Sequence, residues 1–392
     1  MENFQKASFI YGAVRTPIGK FNGGLATVSA PELGAIAIRE AVRRSSISPD
    51  QFSEVFMGNV VSAGIGQAPA RQAALKSGLP ESIGATTINK VCASGLKAVM
   101  LADQAVRLGE AEFVVAGGME NMSCSPFLLP QVRRGHKLGN TEMVDSMIHD
   151  GLWDPHENQH MGELCEQVLK QFCFSREKQD HFARTSYLRA REAQEDGTFA
   201  REIAVVTLHQ KGKQQAIEKD EQPYEEDLDQ LSFMHPVFKK EGGTLTKGNS
   251  AKINDGAAAL VIGKEIRGLD PMARIVSYAT HAQSPATFGL APFGAIQKVL
   301  ARTDLSLDDI DLFEINEAFA GISMAVNDLL GLDGEKVNIH GGSIALGHPI
   351  GATGARILVT LLYALEKRNL KRGLAGLCIG GGEAIAMIVE RM

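Results

Sequence analysis

The chain opens on an alternation of short apolar runs and helical patterns. Ala7 to Val14 reads as a strand, and Leu33 to Arg43 places Leu33, Ile36, Ala37 and Val42 at helical spacing. Glu54 to Met57 and Glu112 to Ala116 are short apolar runs near glycines, hence strands. Strands alternating with helices predict an α/β class with crossover connections. The pattern breaks between Met122 and about Gly248, where the chain turns polar and charged. There Ser175 to Glu195 predicts a surface helix of mixed charge, and Gln210 to Gln230 is polar with little periodicity. From Arg274 the α/β pattern returns.

The returning part echoes the first. Glu54-Val55-Phe56-Met57-Gly58-Asn59 resembles Asp311-Leu312-Phe313-Glu314-Ile315-Asn316. Ser94-Gly95 and Thr353-Gly354 each open an apolar helix, and Val115-Ala116-Gly117-Gly118 matches Cys378-Ile379-Gly380-Gly381. The three matches keep their order at an offset of roughly 260 residues, which predicts a duplicated unit. The expected organisation is a first α/β half (1–121 with 249–272), an inserted lobe (122–248) and a second half (273–392).

Composition narrows the function. The chain has 392 residues, enough to bury a large core without disulfides or a structural metal. A formal net charge of −6 argues against a general nucleic-acid binder, which needs a basic face. Cys92, Cys124, Cys165, Cys173 and Cys378 are odd in number and show no CxxC spacing, which argues against a zinc site or a disulfide framework and for a reducing compartment. Met1 to Gly19 has no apolar run of signal-peptide length, no stretch approaches a membrane span, and Val389 to Met392 carries no retention or peroxisomal signal. Cytoplasm is the expectation, with no membrane partner.

Four segments carry candidate chemistry. Cys92 precedes a helix marked by Leu96, Val99 and Met100, and a thiol at a helix N-terminus is expected to have a lowered pKa. The small residues Ala93, Ser94 and Gly95 would leave room for an acyl group; a buried structural cysteine is the alternative. Gly341 to Gly354 holds five glycines, read as turns and close approach to a ligand, since packing gives no evident reason for so many. His348 is that loop's titratable group and suits proton transfer near neutral pH. A phosphate loop is the alternative, but neither GxxxxGK[ST] nor a clean GxGxxG after a strand is present. Leu374 to Glu383 is a strand ending in Cys378 and three glycines, whose N–H groups could face a developing oxyanion; a buried structural Cys378 is the alternative. Asn316, after the strand Leu312 to Ile315, could orient a water or a carbonyl, or serve as a helix N-cap.

Together these segments resemble the thiolase family. The resemblance rests on the Cys92 segment, Asn316-Glu317-Ala318-Phe319, Gly347-His348-Pro349-Ile350-Gly351 and Cys378-Ile379-Gly380-Gly381-Gly382. It extends to Arg15-Thr16-Pro17-Ile18-Gly19, Ala116-Gly117-Gly118-Met119-Glu120 and Asn254-Asp255-Gly256-Ala257-Ala258. It implies the thiolase fold: two similar α/β halves with mixed five-stranded sheets, layered α-β-α-β-α, plus an inserted loop domain that binds coenzyme A. His160-Met161-Gly162 and Asn89 to Gly95 are similar to the short-chain, biosynthetic branch. Two features depart from the pattern. Ser250-Ala251 stands where relatives often read Ala-Ser, with Lys247 at a position that is often small. No arginine in Gln222 to Glu226 corresponds to one that some relatives place near the adenine.

The resemblance implies reversible condensation of two acetyl-CoA to acetoacetyl-CoA and CoA. Cys92 would take the acetyl group as His348 takes its proton, and the acyl oxygen would rest on the N–H groups of Cys92 and Gly380. Cys378 would remove the α-proton of the second acetyl-CoA. His348 and a water on Asn316 would hold the enolate oxygen. Pantetheine would lie along Leu152, His160, Met161, Phe238, Ser250, Ala251, Phe288, Ala318 and Phe319, with Met161, Phe288 and Phe319 narrowing the acyl pocket; ordinary core is the alternative for these apolar residues. No metal or redox cofactor is implied, and family members suggest a homotetramer. The rivals are a degradative thiolase of longer chain range, a decarboxylating ketosynthase, which needs a second active-site histidine in place of the Asn316 motif, and a non-catalytic thiolase-like CoA- or lipid-binding protein, which would be expected to lack Cys92, His348 or Cys378.

Overall fold

The computed structural model describes residues 7–210 and 213–392. Part of the leader reading (residues 1–6) and two residues of the polar stretch (211–212) lie outside the described residues.

Among the described residues the short apolar runs form nine strands: β1 (Phe9–Arg15), β2 (Phe52–Gly58), β3 (Gly84–Ile88), β4 (Phe113–Asn121), β5 (Asn254–Gly263), β6 (Ala273–Ala282), β7 (Leu312–Ile315), β8 (Arg372–Ile379) and β9 (Glu383–Arg391). In the first half the spatial order is β3-β2-β4-β5-β1, with β2 parallel to β3 and β4 and the rest antiparallel. In the second it is β7-β8-β9-β6, with β7 parallel to β8 and the rest antiparallel. So β2, β4, β5 and β1 repeat as β7, β8, β9 and β6. The place of β3 is marked in the second half by one parallel bridge, Phe313 to Val337. Asn338 turns to a φ of 46° directly after it, which ends the extended run. The half-sheets join where Phe9 and Ile10 pair with Arg274 and Ala273.

Among the described residues eight helices of nine or more residues complete the layers: α1 (Ala30–Ser45), α2 (Pro69–Ser77), α3 (Ser94–Leu108), α4 (Met161–Leu169), α5 (Arg176–Glu195), α6 (Ala291–Leu300), α7 (Ala320–Leu330) and α8 (Ile350–Arg368). Helices α1 and α2 cover one face of the first half-sheet, where Leu33, Ile38 and Ala73 pack with Val115 and Val261. Helices α6 and α7 cover the second, through Ile296 and Val326 against Phe313 and Ile388. Between the half-sheets lie α3 and α8, whose Leu96, Val99, Leu358 and Leu361 share a core with Val114, Leu260, Leu377 and Ile385. Helix α8 is buried from Ile350 to Leu365, as a helix covered on all sides requires. The result is the α-β-α-β-α layering.

The chain between β4 and β5 contributes α4, α5 and shorter pieces. Ser175 caps α5, accepting from the Lys178 N–H at 3.3 Å. The polar stretch differs from its sequence reading: Val206–Gln210 and Lys213–Ile217 pair as antiparallel strands. Val206 faces Ile217 and both are buried. One apolar pair anchors an otherwise polar ribbon, too few positions to register as a period. Among the described residues no helix is long and apolar enough to cross a membrane.

Candidate active site

The three chemistry-bearing loops meet because α3 and α8 cross closely at their N-termini. A Cβ on Gly95 would stand 2.8 Å from the Ala355 nitrogen, and one on Gly354 2.6 Å from the Leu96 nitrogen. These glycines belong to the matched pairs of the sequence repeat, so the duplicated helices touch at their duplicated glycines. This corrects two readings. Ala93, Ser94 and Gly95 are buried and serve the crossing rather than an acyl pocket. The glycines of 341–354 are required by packing: a Cβ at Gly341 would meet Ser186 O at 2.4 Å, at Gly342 the Glu317 carboxyl carbon at 2.2 Å, and at Gly347 Asn254 at 2.2 Å. Their close approach is to protein.

Cys92 occupies the turn between β3 and α3. Helix α3 begins at Ser94, so Cys92 stands just before its N-cap, Ala93. Val91 ahead of it has a φ of 47°, a rare state for a β-branched residue that stores about 1–3 kcal/mol of strain. Two hydrogen bonds of Ser94 hold this turn, with Oγ accepting from Lys90 N at 2.8 Å and donating to Val91 O at 2.7 Å. The N–H groups of Gly380 and of Cys92 itself point at the Cys92 sulfur. Burial nevertheless pushes the Cys92 thiol up to about 11, with those two N–H groups pulling it down. The expected lowering by the helix terminus is therefore overturned: removing a thiolate from water outweighs the nearby dipoles.

His348 follows Gly347, whose φ is 104°. Its backbone N–H lies 3.2 Å from both Lys252 O and Asn254 Oδ1. Its Nδ1 lies 2.7 Å from Thr353 Oγ1, and that hydroxyl donates to Pro349 O at 2.9 Å. The one hydroxyl proton is thus committed to Pro349, so Nδ1–H donates to Thr353 and Nε2 keeps its lone pair. Burial, aided by the Arg356 cation, lowers His348 to about 3, so the imidazole is neutral. Cys378 is the last residue but one of β8, before the turn in which Gly381 and Gly382 have φ of 87° and 90°. Burial raises its pKa strongly, and the Cys92 sulfur raises it further.

Cys92, His348 and Cys378 line one cavity of about 490 Å³, within the range of small-molecule sites. Leu152, His160, Met161, Phe238 and Ser250 line the same cavity, as do Ala251, Phe288, Ala318 and Phe319. His160 caps α4, accepting from Gly162 N at 3.1 Å, and stacks on Phe238 at 4.9 Å. Asn316 and Gly380 do not line it themselves. Asn316 is not a helix cap, since α7 starts at Ala320 with Phe319 as N-cap. Its Oδ1 accepts from Ser343 Oγ at 2.5 Å, and its buried Nδ2 has no partner among the described residues.

The cavity also takes in residues that the sequence did not point to, among them Phe21, Met122, Lys252 and Ile253. Ile350 lies inside the His348 motif and could have been named from it; Lys252 gave no signal. The Lys252 ammonium donates to Tyr187 Oη at 2.8 Å, to Ser250 O at 3.0 Å and to Lys247 O. Burial lowers it to about 7. Towards solvent the wall is charged: Lys20 pairs with Glu225 at 2.7 Å, and Lys247 with Glu226 at 3.1 Å. Among the described residues no group of three or more His, Cys, Asp or Glu is placed to hold a metal ion.

This arrangement offers two thiols, a neutral base and backbone donors at one end of an apolar tunnel. Comparison with known proteins agrees with it. Residues 8–266 match the family model described as thiolase, N-terminal domain, and residues 269–391 the one described as thiolase, C-terminal domain. An acetyl-CoA acetyltransferase of Cupriavidus necator is 50% identical over 389 residues, 97% of this chain and 98% of that protein. One of Escherichia coli is 50% identical over 393 residues, covering 99% and 100%. The crystal structure of the Bacillus anthracis acetyl-CoA acetyltransferase superposes with a TM-score of 0.97 at 41% identity, over 100% of both chains. That of the Acat5 thiolase from Ascaris suum in complex with coenzyme A gives 0.92 at 40% identity, over 99% and 100%.

Proposed function

The chain belongs to the thiolase family, and from that premise we propose that it condenses two acetyl-CoA reversibly to acetoacetyl-CoA and CoA through an acetyl-cysteine. The observation that carries this reading is the shared cavity of Cys92, His348 and Cys378, with the Gly380 N–H aimed at the Cys92 sulfur. As the Cys92 sulfur attacks the thioester carbonyl, its proton passes to Nε2 of His348. A neutral thiol beside a neutral imidazole favours that transfer during bond formation rather than before it. The Gly380 and Cys92 N–H groups then receive the acyl oxygen, and CoA leaves with the proton of the Cys378 thiol while His348 keeps the one from Cys92, splitting one hard step into two. The Cys378 thiolate left by that transfer takes the α-proton of the second acetyl-CoA, the carbanion attacks the acetyl-enzyme, and the Cys92 sulfur leaves with the proton held by His348. The enolate oxygen rests on His348 and on a water held by Asn316 Nδ2, whose free donor supports that role. This chemistry is complete without a metal or redox group.

The pantetheine arm runs from the thiols past Phe319, Phe238 and Ser250 to the charged rim. Met161, Phe288 and Phe319 restrict the acyl end to short chains. Thiolysis of acetoacetyl-CoA and of 3-oxooctanoyl-CoA under one condition tests this; equal or faster turnover of the longer ester would make the enzyme a degradative thiolase instead. The assembly proposed is a homotetramer, supported by exposed apolar side chains between residues 127 and 143, Leu138 being 93% exposed. A reducing compartment, the cytoplasm, suits five cysteines that are all free.

A further inference from the structure

Behind the cavity runs a short buried chain of hydrogen bonds that ends on Asn316. Arg356 of α8 is 1% exposed and donates from Nη2 to Ser343 Oγ at 3.0 Å. Ser343, itself fully buried, lies 2.5 Å from Asn316. A guanidinium can only donate, so the Ser343 oxygen accepts from it, and among the described residues Asn316 is the acceptor that the single hydroxyl proton meets. The Asn316 atom that receives this proton can only be its oxygen. The amide orientation is thereby dictated by a group that lies forty residues away in sequence. Glu314 sits 3.8 Å from Arg356 Nη1, and burial pushes its carboxyl up to about 8 while the Arg356 cation pulls it down. It leaves Nη2 to Ser343.

We propose that Arg356 and Ser343 are positioning residues that set the polarity of the second oxyanion site. They hold Asn316 with its N–H₂ free, buried and unpartnered, so that it meets a water or an anionic oxygen as a donor. A flipped Asn316 would present its carbonyl instead and repel a developing enolate. The inference rests on the role given to Asn316 above. It predicts a defect confined to the carbon–carbon bond step, because acylation of Cys92 uses other donors.

The experiment compares two reactions of the same enzyme. Exchange of labelled CoA into acetyl-CoA reports acylation of Cys92 alone, and condensation or thiolysis reports the whole cycle. Ser343→Ala is expected to lower kcat for thiolysis about ten- to a hundredfold with KM little changed, and to leave exchange within about twofold. Asn316→Ala should lose thiolysis at least as strongly. The double variant Ser343→Ala/Asn316→Ala should be no slower than Asn316→Ala, since Ser343 acts only through Asn316. Thermal unfolding of each variant checks that the fold is retained. Parental thiolysis in Ser343→Ala, an equal loss in exchange, or additive losses in the double variant would overturn the inference while leaving the proposed reaction intact. Parental thiolysis in Asn316→Ala would overturn both the inference and the role of Asn316.

Discussion

The thiols and the imidazole of the cavity take their charge from burial before anything else. Desolvation holds His348 and His340 neutral, with nearby cations adding to it at both: Arg356 at His348, Lys367 and Arg368 at His340. His340 lies at about 4, below its ordinary 6.5. A depressed value means that its contribution to stability is complete above about pH 6.5 and is lost as the pH falls toward 4. The contribution is on the order of 3 kcal/mol. Replacing His340 by Gln should flatten the fall in unfolding free energy between pH 6.5 and 4.5, measured by urea titration. An unchanged slope would remove His340 as the source. At this scale the sequence was partly legible. Cys92, His348 and Cys378 stood out because their loops combined reactive side chains with glycines. Their charge states were not legible, since burial depends on helices far away in the chain. The polarity of Asn316 was not legible either, because a serine and an arginine from another segment decide it.

Secondary-structure elements bring those side chains together by touching without side chains between them. The Gly95–Gly354 crossing places the turn of Cys92 beside the loop of His348, and both loops depend on that contact. A second close approach reinforces it, since a Cβ on Gly118 would stand 1.9 Å from Gly351 O. Gly351 N in turn donates to the buried Glu120 carboxylate at 2.9 Å, which also accepts from Val60 N at 3.0 Å. Gly354→Ala would force α3 and α8 apart by pushing against backbone, at a cost of about 1–3 kcal/mol. Its expected result is a lower Tm and a thiolysis rate that falls more than stability alone explains. An active enzyme with parental Tm would show that the crossing has slack. The repeat made the paired elements visible: the matched segments fall on β2 and β7, on the starts of α3 and α8, and on β4 and β8. What the repeat hid was the weaker second copy of β3, where Asn338 ends the extended run after one bridge.

For the molecule as a whole, two similar halves supply the chemistry and the chain between β4 and β5 supplies the cavity wall. Cys92 comes from the first half, His348 and Cys378 from the second, and His160, Met161 and Phe238 from the intervening chain. The change from α/β alternation to a polar stretch made that third contribution legible in outline. Its hairpin was not, because one apolar pair sustains it. The same chain exposes Phe127, Leu129, Val132, Leu138 and Met143. If these bury against other copies, Leu138→Asp with Met143→Asp should shift the sedimentation coefficient from tetramer to dimer. A tetramer that persists would place the contact elsewhere. In the proposed reaction two thiols share one cavity but divide the work, one carrying the acyl group and the other moving a proton. Intact-mass and peptide analysis after mixing with acetyl-CoA tests it most directly, using the parent, Cys92→Ala and Cys378→Ala, with acetoacetyl-CoA formation followed in parallel. The account predicts one acetyl group on Cys92 in the parent and in Cys378→Ala, none in Cys92→Ala, and product from the parent alone. An acetyl group on another residue, or condensation by Cys378→Ala at the parental rate, would contradict it.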